Sequence, residues 1–263
     1  MANKYLARED APFGAETWKV LDAAMMEAAK NQLAGRRLLH IEGPFGLGLK
    51  IVPLQDVEIE PGLTVSEFLP LVMVQKTFTL GVRDLASYER EGTALNTSAV
   101  AGAAIECART EDSLIFNGTP PMPGLLAVEG SNELQLSSWD EVGTAAEDII
   151  KAVTILDGAG FHGPYSLALA PSRYNLLFRR HLRGNFSEME HVKTMVTEGI
   201  FKAPILDSGG VLLASGRQFA SIVLGQDMTI GFIGPAGEEI EFSISESLAP
   251  LIRQPQAICV LKE

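Results

Sequence analysis

The sequence predicts an α+β fold, and three observations carry that expectation. Helical and strand-like patterns are mixed along the 263 residues without a regular βαβ alternation. Three long stretches, opening near Glu16, Asn96 and Ser137, carry apolar residues at helical spacing. From Gly210 onward the chain reads as one strand pattern after another.

The elements follow in order. The first 15 residues read as a polar arm, broken by Pro12 and Gly14. In "ETWKVLDAAMMEAAKNQLAG", Trp18, Leu21, Met25, Ala28 and Leu33 recur at helical spacing and Gly35 offers a stop. A methionine-bearing face of this kind suits either a core or an adaptable peptide-binding surface. "RRLLHIEG", "LKIVPLQDVEIEPG" and "FLPLVMVQKTFTL" read as strands. Val57 and Ile59 alternate with Asp56, Glu58 and Glu60, which predicts one wet face and makes residues 49–75 an extended two-stranded excursion. "VRDLASYEREG" is a short helix. "NTSAVAGAAIECARTEDSLIFNG" is a long one, capped by Asn96, Thr97 or Ser98 and closed by Gly118. Its alanines (Ala99, Ala103, Ala104, Ala108) permit close packing. "PPMPGLLAV" is a turn and a strand, and "SSWDEVGTAAEDIIKAVTILDGAG" a helix with a capping-box pattern from Ser138 to Glu141. "YSLALAP" is a buried strand, "SRYNLLFRRHL" a helix, "RGNFSE" a polar loop and "EHVKTMVTEG" a further helix.

Composition narrows the function. The chain is 46% hydrophobic and 21% charged, an ordinary globular balance. A net charge of −12 repels nucleic acid and anionic lipid, so neither is an expected partner. The N-terminus carries acids and no apolar core segment, which predicts no signal peptide, and no apolar run is long enough to span a bilayer. Cys107 and Cys259 sit among small or apolar residues and read as buried thiols of a cytosolic protein.

Catalytic patterns are absent. "EGPFGLGLK" (Glu42 to Lys50) spaces two glycines like a phosphate-binding loop. However, Leu49 stands before Lys50, Ile51 follows it, and Pro44 lacks an amide hydrogen, so the segment reads as a turn between strands. Glu188 and His191 form a single Glu-x-x-His, whereas a di-iron bundle needs two such pairs and two further glutamates. No Gly-x-Ser-x-Gly elbow appears. The chain is therefore expected not to be an enzyme, nor to hold a metal or cofactor of its own.

Five segments in order carry a resemblance. They are "QLAGRRLLHIEGPFG" (Gln32 to Gly46); "KTFTL" (Lys76 to Leu80); "TEDSLIFNG" (Thr110 to Gly118) followed by "PGLLA"; "GPYSLALAPSRYNLLF" (Gly163 to Phe178); and "LGQDMTIGF" (Leu224 to Phe232), with "ISESL" and a closing "PQAICVLKE". Together they resemble the family 1, linocin-like encapsulin shell proteins, nanocompartments with the Hong Kong 97-type fold of tailed-phage major capsids. The resemblance implies an N-terminal arm and helix over 1–48, an extended loop over 49–75, a peripheral domain over 76–130 and 224–263, and an axial domain over 131–223.

It also implies function: a self-assembling icosahedral shell in the cytoplasm, the smallest (T=1, about 60 copies) favoured over larger ones. The shell would enclose a cargo enzyme, such as a ferritin-like protein or a dye-decolorising peroxidase, held by a C-terminal peptide, for iron storage or oxidative-stress defence. By position, Leu21, Met25, Ala28, Arg36, His40, Asp227, Met228 and Ile230 would bind that peptide. Leu182, Arg183, Gly184, Asn185, Phe186 and Ser187 would line a five-fold pore for small solutes, with charge from Arg183 and Glu188. Some relatives stack a flavin on a tryptophan where this chain has Arg83; Tyr88 is nearby, but no flavin is expected. The competing readings are a phage or prophage capsid protein, and a hydrolase or bacteriocin-like protein.

Overall fold

The computed structural model describes residues 4–180 and 186–263. Two 3-10 turns, Lys4–Leu6 and Arg8–Asp10, precede α1 (Ala15–Lys30), α2 (Gly35–Leu38), β1 (His40–Glu42), β2 (Ile51–Glu60), β3 (Leu63–Pro70) and β4 (Val72–Gly81). Then come α3 (Val82–Glu91), α4 (Ser98–Phe116), β5 (Gly118–Thr119), β6 (Met122–Pro123), β7 (Asn132–Gln135), α5 (Thr144–Gly158), β8 (Tyr165–Leu169) and α6 (Pro171–Leu176). The chain finishes with α7 (Glu188–Lys193), β9 (Gly199–Lys202), β10 (Gly210–Ala214), β11 (Ala220–Leu224), β12 (Thr229–Ala236), β13 (Glu239–Ile252) and β14 (Ile258–Lys262). Helices and sheets are mixed as the sequence predicts, and the fold is α+β.

Two compact units divide the chain. The first comprises Met1–Leu33, Gly43–Glu111 and Leu224–Leu248. Its sheet sets β13 between β4 and β12, antiparallel to both. Alternation along β13 turns Phe242 and Ile244 inward, where both are fully buried. Phe242 stacks on Phe78 at 5.1 Å between ring centroids and meets Trp18 of α1 edge-on at 6.0 Å. The alanine face of α4 is buried at Ala103, Ala104 and Ala108, as its small side chains suit. The amide of Ser98 donates to Asn96 Oδ1 at 3.0 Å, so the expected cap is in place.

The β2–β3 hairpin also belongs to this unit. The sequence predicts one wet face for it. Instead both faces are open to solvent: Ile59 is 58% and Phe68 59% exposed, and Ile51, Leu63 and Val65 are exposed too. Val57 is half-buried, but Ile59 and the other apolar side chains of the hairpin that are exposed have no cover among the described residues.

The turn after β1 is built on glycine. Gly43 sits at φ +118°, and a Cβ there would lie 2.5 Å from the Leu224 carbonyl oxygen. The Phe45 amide donates to that same carbonyl at 3.0 Å. Gly43 thus serves a close backbone approach, whereas a Cβ at Gly48, its partner in the phosphate-loop spacing, would meet nothing within 4 Å.

The second unit comprises Ala34–Glu42, Asp112–Val223 and Ala249–Glu263. Its sheet runs β7-β14-β10-β8-β9, and β1 pairs in parallel with β11. Under α5, Ile149, Ala152 and Leu156 pack with Leu167, Leu212, Cys259 and the fully buried Trp139. Asp148 organises the approach to α5. It accepts from the Ser137 amide at 2.7 Å, from Trp139 Nε1 at 2.9 Å and from Lys151 at 2.8 Å.

Four local expectations need correction. Residues Gly35–Leu38 are helical rather than extended, because Asp112 accepts the amides of Ala34 and Gly35, each at 2.9 Å, and so caps the turn. The third long helix starts at Thr144, not near Ser138, because Trp139 (φ 58°) is drawn inward by Asp148. The helix read over "SRYNLLFRRHL" is only Pro171–Leu176. The capping box lies instead at Ser187 and Glu190, opening α7.

Candidate functional site

The peptide-binding expectation centres on α1 and on the segment entering β12. Leu21, Met25 and Ile230 are buried in the first unit, Leu21 and Ile230 completely. Helical spacing explains this: Trp18, Leu21 and Met25 form one face, and that face is occupied by the unit's own core. Ala28 and Met228 are half-buried, and Asp227 is exposed. Asp227 accepts the Met228 amide through its carboxylate and the Thr229 hydroxyl through its carbonyl, so it shapes the turn into β12. Arg36, half-buried on α2, and His40, exposed on β1, belong to the second unit. The large apolar side chain that α1 presents to solvent is Met26, 60% exposed.

Arg8 is a residue that sequence reasoning passed over. Its Nε donates to the Ile230 carbonyl at 2.8 Å, and its Nη1 donates to Asp22 Oδ2 at 2.9 Å. Nη2 completes the fork on Asp22 Oδ1, and the guanidinium lies 4.4 Å from the Trp18 ring centroid. Beside it is a cavity of about 400 Å³ lined by Lys4, Leu6, Arg8, Asp10, Gln226 and Thr229, among others. A contact spanning 222 positions leaves no mark in local periodicity.

Of the expected pore, Leu182, Arg183, Gly184 and Asn185 lie outside the described residues. Phe186 is exposed, and Ser187 is the N-cap of α7. Glu188, expected to lend charge to the pore, is fully buried. It accepts the Gly143 amide at 2.7 Å and Arg179 at 3.1 Å, so its charge is held inside the second unit. That carboxylate is thereby committed, while His191 is exposed one turn on. No group of three metal-ligating side chains occurs among the described residues.

Arg83 is exposed and Tyr88 half-buried, both on α3. Burial pushes the Cys107 thiol up, and Glu246, 3.4 Å away, pushes it further. Burial likewise raises Cys259, to about 11. Neither is a nucleophile at neutral pH. Asp157 accepts from Tyr165 at 2.6 Å and pairs with His162 at 3.1 Å, and these contacts lower its carboxyl. No described helix is long and apolar enough to cross a membrane.

Comparison with known proteins gives these features a context. Residues 3–249 match a family model described as an encapsulating protein for peroxidase. The type 1 encapsulin shell protein EncA of Myxococcus xanthus is 29% identical over 98% of this chain and 96% of its own length. The virus-like particle of Pyrococcus furiosus superposes with a TM-score of 0.78 at 24% identity, covering 94% of this chain and all of the other. The capsid of Myoviridae phage XM1 superposes at 0.63 and 14% identity, over 85% of this chain and 88% of its own. The fold is thus the Hong Kong 97-type capsid fold, as the resemblance implies.

Proposed function

The chain belongs to the encapsulin family of encapsulating shell proteins, and from that premise we propose that its copies close into an icosahedral shell around a cargo enzyme. The observation that carries the proposal is the β2–β3 hairpin. A lone two-stranded hairpin is marginal in water. Here it also holds Ile59, Leu63 and Phe68 out to solvent. Such a surface calls for a neighbour. In a closed assembly each copy gives its hairpin to one neighbour and receives another, and repeated interfaces add into a stable shell. The T=1 arrangement is favoured.

Shell proteins of this family are structural, so the chemistry belongs to the cargo. We assign the cargo's C-terminal tail to the surface formed by α1 and Gln226–Ile230. Its apolar half comes from the half-buried Ala28 and Met228 rather than from the core-facing side of α1, and its polar half from Asp227 and neighbouring backbone. The family's description names a peroxidase, which supports a role against oxidants; a ferritin-like iron-oxidising cargo is the companion reading. Small solutes would enter through pores at residues 182–187, and the shell would work in the cytoplasm. The net charge of −12 weighs against packaging a polyanionic genome, which disfavours the phage-capsid reading.

Two variants test the proposal. Phe68→Asp is exposed in the subunit, so it leaves the fold intact and abolishes closed particles. Particles that form as before would sink the hairpin argument. Met228→Glu keeps the shell and loses the co-expressed enzyme of a neighbouring reading frame ending in a short Gly- and Leu-rich tail. Unchanged cargo content would remove the peptide assignment. Met25 and Ile230 are unsuitable sites for this test, because a charge there enters the core.

A further inference from the structure

The N-terminal arm lies on the surface just assigned to cargo. Its two 3-10 turns are joined at Ala7, which takes the left-handed conformation (φ 49°, ψ 27°) that alanine rarely adopts. Tertiary contacts hold it there. Leu6 sits against Gly231 of β12, where an added Cβ would come within 3.3 Å of the Leu6 side chain and carbonyl. Arg8 is anchored through Asp22, the Ile230 carbonyl and the Trp18 ring. β12 is the end strand of its sheet, the position at which an added segment can dock. Yet the seat is poorly filled, since the cavity of about 400 Å³ remains between the arm and Gln226 and Thr229. A segment seated by Leu6 and Phe13 and latched by Arg8 over an incompletely filled edge can be exchanged.

We propose that the arm is a displaceable strap over the cargo-peptide surface, latched by Arg8, and that a cargo tail binds by replacing it. The strap also reveals the chemistry of its competitor. The tail must offer an aliphatic side chain where Leu6 covers Gly231, and a basic group to meet Asp22 and the Ile230 carbonyl. An acidic tail would be refused at Asp22. The inference rests on the reading that α1 and Gln226–Ile230 receive cargo. In it, shell subunits without cargo are self-occupied, and loading frees the first residues of the chain.

The test uses full-length protein and a fluorescein-labelled synthetic peptide, KYLAREDAPF, the sequence of residues 4–13. The peptide is present throughout assembly, and binding is read by anisotropy. Arg8→Ala should bind it at least tenfold more tightly than the wild type, because the resident strap is unlatched. Arg8→Lys should fall between. A peptide with its arginine replaced by alanine should lose the gain. Leu6→Ser loosens the strap without touching its seat and should reproduce the gain if Arg8→Ala folds poorly. Equal affinity in wild type, Arg8→Ala and Leu6→Ser overturns the strap. If Met228→Glu still loses cargo in that case, the cargo assignment stands without it. If Arg8→Ala gains affinity while Met228→Glu keeps its cargo, the cargo assignment and the displacement fall together.

Discussion

Replacing Asp148 by asparagine probes the joint on which the second unit's longest helix is seated. The carboxylate is almost fully buried. One oxygen takes the Ser137 amide and hydroxyl and the Trp139 indole, and the other takes Lys151. Burial alone would raise this carboxyl. Hydrogen bonds from Lys151, Ser137 and Trp139 outweigh it and hold the group down at about 2, against an ordinary 3.8. At about 1.4 kcal/mol per tenfold change in proton affinity, that difference contributes on the order of 2–3 kcal/mol to folding at neutral pH. Because the folded-state pKa is the lower one, the contribution is complete above about pH 5. It is lost as the pH falls toward 2, and roughly half remains at pH 3. The asparagine side chain can still accept the three donors through its one oxygen, but it carries no charge and turns an amide toward Lys151. Asp148→Asn should therefore cost about 2–3 kcal/mol at pH 7, and the gap to wild type should shrink by about half at pH 3. Urea unfolding followed by tryptophan emission, to which Trp139 contributes, measures both. Glu42, Glu190 and Glu263 are also lowered by their hydrogen-bond partners, and the wild-type-minus-variant difference removes their contribution. Equal midpoints at pH 7, or a gap that does not narrow in acid, would refute the reasoning.

Three further outcomes follow from the packing. Phe242→Ala removes the ring shared by Phe78, Trp18, Phe13 and Phe232. It should cost about 3–5 kcal/mol by chemical denaturation, and a loss under about 1 kcal/mol would show that the cluster does not hold the first unit. Glu188→Gln leaves Arg179 without its buried counter-charge and should destabilise by about 3 kcal/mol. An unchanged melting temperature contradicts it. Gly43→Ala forces a side chain against the Leu224 carbonyl at a φ alanine resists, costing about 2 kcal/mol or more. Amide exchange at Phe45 and Gly46 should rise, and unaltered protection there would refute the turn's role.

What the sequence makes legible is what is local. The hairpin over residues 49–75, the caps of α4 and the buried strand at Tyr165–Leu169 all follow from alternation, side-chain type or apolar runs. What it hides depends on distant partners. "RRLL" extends on propensity, yet Asp112 bends its start into a helical turn. Ser138 offers a capping pattern, yet Trp139 is drawn inward by Asp148 and the helix begins later. The site shows the same division. Position on α1 finds the apolar face, but only the three-dimensional arrangement reveals that Leu21, Met25 and Ile230 are already buried and that Arg8 reaches the Ile230 carbonyl. The alternation in the hairpin correctly marks side chains that need covering. It does not say what does the covering.

Whether this chain closes upon itself in many copies is read by multi-angle light scattering with electron microscopy on the protein expressed alone. Uniform hollow particles of a single mass, many times that of the subunit, are the predicted result. A stable monomer or dimer with its hairpin exposed, never closing at any concentration or ionic strength, would contradict the account.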